Sequence, residues 1–173
     1  MKKTAIIFGT TTGNTEKAAA LIAESIGKEN VTILNVSGLS ADDIKEFEFL
    51  ILGTSTWGYG DIQDDWETFL PALKKNDLSG RTVALFGLGD SSSYNETFTD
   101  GMGILYEELT GTGAAFSGFC ETGGYDFSAS RAVVNGKFVG LPLDEDNESE
   151  KTENRIAAWI DSMKEELGIK VLS

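Results

Sequence analysis

Histidine is absent from the 173 residues, cysteine occurs once and proline twice. Without histidine there is no Ser-His-Asp or Cys-His nucleophile, and Cys120 alone gives neither an internal disulfide nor a common zinc site. Basic residues are also scarce: 14 Lys and Arg stand against 28 Asp and Glu, a formal charge of -14. Nucleic acid and anionic membranes draw on clustered cations, so neither is expected as the main partner, and a macromolecular partner should itself be basic. The longest unbroken apolar run, Ala18 to Ala23, falls far short of the roughly 20 residues that a membrane-spanning helix needs. Lys2 and Lys3 precede only the short stretch Ala5 to Phe8, too little for a secretory signal, and a cytoplasmic monomer is expected.

The chain has the length of one domain, 1–173, with ordinary core-forming material. Runs rich in β-branched and aromatic residues at Thr4–Phe8, Val31–Val36, Phe49–Gly53 and Thr82–Gly87 read as buried strands, with a weaker fifth near Ala115–Gly118. Between them lie stripes at helical spacing: Ala18, Leu21, Ile22 and Ile26; Trp66, Phe69, Leu70 and Leu73; Phe98, Met102, Leu105, Tyr106 and Leu109; Ile156, Trp159, Ile160, Met163 and Leu167. These apolar residues are expected to pack the core. Strands alternating with helices predict an α/β fold with a parallel sheet covered on both faces, because a parallel crossover needs a helix-length connection. From Phe119 to Leu143 the alternation breaks, and Asn135-Gly136 between Ala132–Val134 and Lys137–Val139 is a strong hairpin signal. This segment reads as an excursion inserted into or beside the last strand. Cys120, with nothing basic beside it, reads as a structural thiol.

In such folds ligands bind beyond the carboxyl ends of the strands, which directs attention to three loops. After the first strand, residues 9–15 read GTTTGNT and lead into a helix near Asn14. A helix start offers unpaired N–H groups, Thr10, Thr11, Thr12 and Thr15 add hydroxyls, and Gly13 can turn successive N–H groups inward. The run lacks the GxxxxGK[ST] spacing and any lysine, so it suits a phosphate monoester and not a magnesium triphosphate. Thr and Gly that merely cap a helix are the plainer alternative. After the third strand, STWGYGDI places Trp57 and Tyr59 between Gly58 and Gly60, where a core has no use for them and a flat ligand could stack. After the fourth, GLGDSSSYNETFTD offers Gly87 and Gly89 for a tight turn, Asp90 as acceptor and Tyr94 as a second aromatic plane. A cradle for one phosphate and two aromatic planes fit a phosphorylated planar heterocycle.

The set TTTGNT, STWGYG, GLGDSSSY, GYDFSAS and VNGKFVGLPLDEDN resembles the flavodoxins over essentially the whole chain, specifically the long-chain type whose last strand carries an insertion, here roughly 119–143. The resemblance implies a flavodoxin-like three-layer α/β/α sandwich with a five-stranded parallel sheet in the order 2-1-3-4-5, and one non-covalent FMN. Matched motif by motif, it implies that Thr10, Thr11, Thr12, Gly13, Asn14 and Thr15 bind the phosphate, and that Trp57 and Tyr94 cover the two faces of the ring. It further implies that Thr56, the Gly58-Tyr59-Gly60 backbone, Leu88, Gly89 and Asp90 line the ring edge, and that Asp146 reaches the ribityl chain. Thr97 and Thr99 follow Tyr94 closely enough to touch ring or ribityl. Asn14 departs from the pattern, since relatives carry a basic residue there; the cost is small if backbone and hydroxyl donors dominate.

A low-potential one-electron carrier follows, loaded by a flavodoxin reductase and emptied by low-potential oxidoreductases with basic surfaces. No side chain need act as acid, base or nucleophile, because the cofactor does the chemistry. The Gly58-Tyr59 peptide is the candidate for a carbonyl that swings toward flavin N5. Asp61, Asp64, Asp65, Glu67, Asp90, Asp144 and Asp146 lie in the flavin-side segments, although solvated or helix-start charges are a plain reading for each. One carboxylate about 10 Å from an anionic flavin, at a dielectric near 20, costs on the order of 1.7 kcal/mol. Two other classes fit the topology less well. A quinone or nitro reductase would need an open pocket over the ring, and steady NAD(P)H oxidation would reveal it. A phosphoacceptor receiver domain would need acids after the first and third strands, where this chain has GTTT and GTSTW.

Overall fold

A computed structural model of the chain describes residues 1–169. In chain order its elements are β1 (Thr4–Phe8), α1 (Asn14–Ile26), β2 (Val31–Asn35), β3 (Phe49–Trp57), β4 (Asp61–Ile62), α2 (Asp64–Lys74), β5 (Thr82–Leu88), α3 (Asp100–Leu109), β6 (Ala115–Ser117), β7 (Cys120–Glu121), β8 (Val133–Val134), β9 (Lys137–Phe138), β10 (Leu141–Leu143), α4 (Thr152–Ser162) and α5 (Lys164–Leu167). The main sheet runs β2-β1-β3-β5-β10, all parallel. Counting principal strands, this is the expected 2-1-3-4-5 order, with one refinement. The fifth position is shared: β6 pairs with Thr82–Ala84 at the start of β5, and β10 pairs with Phe86–Leu88 at its end. The segment between them leaves the sheet and returns to the same strand.

The central strands read as continuous apolar runs because both faces are covered. Side chains alternate across a strand, so Ala5, Ile7, Leu50, Leu52, Val83 and Leu85 join one core with Trp66, Phe69, Leu73, Met102 and Leu105 from α2 and α3. Ile6, Phe8, Phe49, Ile51, Ala84 and Phe86 join the other, with Ala19, Ile22, Ile156 and Ile160 from α1 and α4. Fully burying one such side chain contributes roughly 1.5–3 kcal/mol. Edge strand β2 has partly exposed residues throughout, as a strand with one free side should. Trp66 is fully buried, and its indole N–H donates to Gly53 O at 2.8 Å.

The excursion forms its own small antiparallel sheet, β7-β9-β8. Its hairpin turns at Asn135 (φ 54°) and Gly136 (φ 80°), the pair of positive φ angles that a two-residue turn matched to twisted strands requires. Phe127 stacks on Phe98 with ring centroids 5.6 Å apart, and Tyr125 and Phe138 close the same cluster. Cys120 packs between the two cores, and burial, aided by neighbouring Glu121, pushes its thiol up to about 12, which keeps it protonated and unreactive at neutral pH. Among the described residues no helix is long and apolar enough to cross a membrane.

Candidate functional site

The parallel register sets Phe8 beside Gly53, Ser55 beside Leu88, and Leu88 beside Leu143, so the chain leaves β1, β3, β5 and β10 at one end of the sheet. The loops there enclose a cleft of about 230 Å³ lined by Thr12, Asn14, Ser55, Thr56, Trp57, Gly58, Leu88, Gly89, Asp90, Tyr94, Thr97, Glu145 and Asp146.

One end of the cleft is the start of α1. Gly13 is the residue before the first helical turn, at φ 97°, and no side chain caps the helix. A left-handed conformation there suits glycine, and the missing cap leaves the first N–H groups of the helix available. The loop is stiffened from behind: Gly13 N–H donates to Thr10 Oγ1 at 2.9 Å, and the Gln63 amide reaches Thr10 O and Thr11 Oγ1 at 3.3 and 3.4 Å. Lys17, the lysine of this helix, pairs with Glu145 at 3.5 Å. The donor set is therefore neutral, namely backbone N–H and threonine hydroxyls at the positive end of a helix dipole. That chemistry fits a phosphate monoester.

Trp57 and Tyr94 line the same cleft from the turns after β3 and β5, 38% and 49% exposed. The Trp57 indole N–H donates to Ser55 Oγ at 2.8 Å, which fixes the ring at the strand end. Tyr94 sits in a turn closed by its own N–H on Asp90 O at 2.9 Å. Leu88 is nearly buried at the base of the cleft, and Thr56 Oγ1 accepts from Gly101 N–H at 3.0 Å.

Below this lies a knot of acids and amides. The Asp144 carboxylate is completely buried and accepts from Ser91 N–H at 3.2 Å, from the Ser91 hydroxyl, and from the Asn147 side chain at 3.0 and 3.1 Å. Asn147 Nδ2 also donates to Asp90 Oδ1 at 2.8 Å. Burial acts to raise the Asp90 carboxyl, but hydrogen bonds from Ser93, Asn147 and Ser92 together hold it below the ordinary range. Asp146 is displaced the other way, raised by burial and then by Asp90, Asp144 and Glu145.

Of the residues singled out from the sequence, Thr12, Asn14, Thr56, Trp57, Gly58, Leu88, Gly89, Asp90, Tyr94, Thr97 and Asp146 meet on the cleft. Thr10, Thr11, Gly13 and Thr15 shape the loop and helix start beside it, Thr15 being buried in the first turn. The remaining three lie away from it. Tyr59 is 94% exposed, its side chain turned to solvent, and Gly60 closes the turn behind Trp57 through its N–H on Trp57 O at 3.1 Å. Thr99 corrects the expectation of contact with ring or ribityl: it is fully buried at the start of α3 with φ 53°, its hydroxyl 3.5 Å from Ser130 Oγ. Closeness in sequence to Tyr94 does not carry over to Thr99 because the chain turns between Thr97 and Asp100. Ser55 and Glu145 line the cleft without having been singled out. Ser55 belonged to a motif already noted, whereas nothing in Asp144-Glu145-Asp146 signals which acid faces which way.

An α/β sandwich with a neutral, donor-rich loop and two aromatic rings at the mouth of one cleft fits the class of proteins that bind a phosphorylated flat cofactor at the sheet end. Comparison with known proteins narrows that class. The family model described as flavodoxin matches residues 6–159, and the chain belongs to the flavodoxin family. It is 46% identical over 165 residues to the flavodoxin of Synechocystis, covering 95% of this chain and 97% of that one. To Flavodoxin 1 of Escherichia coli it is 39% identical over 168 residues, 96% of each chain. Among solved structures it resembles the Fusobacterium nucleatum flavodoxin bound to flavin mononucleotide, with a TM-score of 0.90, 34% identity, and coverage of 96% of this chain and 99% of that one.

Proposed function

We propose that this protein is a low-potential one-electron carrier that holds FMN non-covalently in the cleft after β1, β3 and β5. The observation that carries the reading is the neutral cradle at Gly13 beside the exposed rings of Trp57 and Tyr94. A phosphate monoester would sit on the N–H groups at the start of α1, with Thr10, Thr11, Thr12, Asn14 and Thr15 around it. Trp57 and Tyr94 would cover the ring, Thr56, Gly58, Leu88, Gly89 and Asp90 would meet its edge, and Asp146 would meet the ribityl hydroxyls. Bound FMN supplies reversible one-electron chemistry.

The chain's own part is to bind, orient and tune. Gly58, at φ 53°, has the conformational freedom to let the Gly58-Tyr59 peptide reorient, and its carbonyl would accept a hydrogen bond from a protonated flavin N5. Negative charge on Asp90 and on the Asp144-to-Asp146 acids opposes further negative charge on the ring and lowers the potential for full reduction. The excess of 28 acids over 14 bases favours redox partners with basic surfaces, a reductase on one side and low-potential oxidoreductases on the other, steered at low salt. Brief, charge-guided encounters by a cytoplasmic monomer suit such a carrier, and the 119–143 insertion marks the long-chain form.

Reductive titration of the protein loaded with FMN tests this. Two separated one-electron steps, with electron delivery to a basic redox protein slowing as salt is raised, support the reading. Failure to bind FMN, or steady NAD(P)H oxidation by the isolated protein, overturns it.

A further inference from the structure

One residue joins the turn that carries Trp57 to the excursion. The Asp100 carboxylate, in the first turn of α3, accepts from Arg131 N–H at 2.7 Å through Oδ1. Its other oxygen lies against Gly60: a Cβ built on Gly60, which stands at φ 105°, would be 2.7 Å from Asp100 Oδ2. The same stretch of chain is held by the excursion at several other points. Ser128 and Ala129 N–H groups donate to Asn95 O at 2.8 and 3.0 Å, and the Ser130 hydroxyl donates to Phe98 O. Thr99, immediately before Asp100, keeps a left-handed conformation that threonine adopts only when its surroundings impose it. On the other side Gly101 N–H is anchored to Thr56 on β3. The segment 95–101 is thus a crosspiece between the two aromatic-bearing turns, and the excursion grips it.

We infer that Asp100 is a positioning residue: clamped between Arg131 N–H and Gly60, it transmits the hold of the excursion to the Trp57–Gly60 turn and so sets the wall against which a flat ligand stacks. The inference builds on the FMN reading but makes a claim about the protein that holds without FMN. Shape and an acceptor atom matter here more than charge, since asparagine could keep both the bond to Arg131 and the contact with Gly60.

The test uses the full chain in four forms: wild type, Asp100→Ala, Asp100→Asn and Ser130→Ala. Amide exchange at Gly60 N–H, which closes the turn on Trp57 O, is followed without cofactor, and FMN affinity is measured separately. In Asp100→Ala, Gly60 exchange should quicken and the Kd for FMN rise by about tenfold, equivalent to ~1.4 kcal/mol. Asp100→Asn should stay close to wild type. Ser130→Ala, which loosens the excursion's grip without touching Asp100, should quicken Gly60 exchange as well. Unchanged Gly60 exchange in Asp100→Ala or in Ser130→Ala overturns the inference, as does an Asp100→Asn variant as impaired as Asp100→Ala. If wild type binds no FMN, the functional reading fails while the exchange data still decide this one.

Discussion

The buried carboxylate of Asp144, just beyond β10, accepts hydrogen bonds from both the backbone N–H and the hydroxyl of Ser91, in the loop that carries Tyr94. Two segments 53 residues apart in the chain are thereby locked together beside the cleft. Asp144→Ala would strand Ser91 N–H and the backbone N–H of Asn147, which donates to Asp144 Oδ1 at 3.1 Å, and each orphaned donor costs about 1–3 kcal/mol. Urea unfolding should show that loss, and FMN affinity should fall with it. A variant as stable as wild type would mean that water replaces the carboxylate.

At the phosphate end, Gly13→Ala meets no atom within 4 Å, so its effect comes from the φ of 97° alone. A left-handed conformation costs an alanine roughly 1–2 kcal/mol. Wild type should prefer FMN to riboflavin, which lacks the phosphate, and the variant should narrow that preference by shifting FMN affinity and not riboflavin affinity. Equal losses for both ligands would place the phosphate elsewhere.

Replacing Trp57 or Tyr94 with leucine removes a stacking face worth about 1–3 kcal/mol by analogy with bases on aromatic platforms. Fluorescence titration should record weaker FMN binding and brighter bound flavin in both variants. Tyr59→Leu, at a side chain 94% exposed, should leave FMN affinity unaltered.

Gly58→Val makes the proposed peptide rotation costly, because Gly58 stands at φ 53° and a Cβ there comes 3.1 Å from Asp61 Oδ2. The two one-electron potentials should draw together, with less one-electron-reduced flavin at the midpoint. Potentiometry showing an unchanged separation excludes the rotation.

Asp90 and Asp146 should respond to acid with opposite signs. Asp90 titrates below its ordinary value of 3.8, so its hydrogen bonds add stability above that value and lose it as pH falls through the lowered one. Asp146 titrates above 3.8, so its ionised form is a liability at neutral pH that disappears on acidification. Asp146→Asn should therefore stabilise the protein near pH 7 and have no effect below the ordinary aspartate range; Asp90→Asn should destabilise near pH 7. Unfolding midpoints measured across pH check both, and a common direction contradicts the assignment.

Much of this was legible along the chain. The strand Thr4–Phe8 was legible from its apolar run Ala5–Phe8, which lies buried between both cores, while the buried Thr4 at its start satisfies its hydroxyl on Lys2 O at 2.9 Å. Asn135-Gly136 announced its turn because few residues accept two positive φ angles in succession. The cleft-facing threonine and aromatic residues were visible because a core has no place for them. The burial of Thr99 and the partners of Asp144 were not legible for one reason: Ser130 and Ser91 come from 31 and 53 residues away, and no local spacing encodes such neighbours. Gln63, which steadies the Thr10–Gly13 loop from the start of α2, was hidden in the same way.

Because β6 and β10 both stand on β5, the intervening residues form a detour with its two feet on one strand. The pairing of β6 and of β10 with β5 is set at the two feet, while the detour between them packs Ala132, Phe138 and Val139 into the core. Scaffold and adjustment are divided in this architecture: the two feet hold the sheet, while residues nearer Arg131 would govern how tightly the mouth of the cleft is drawn.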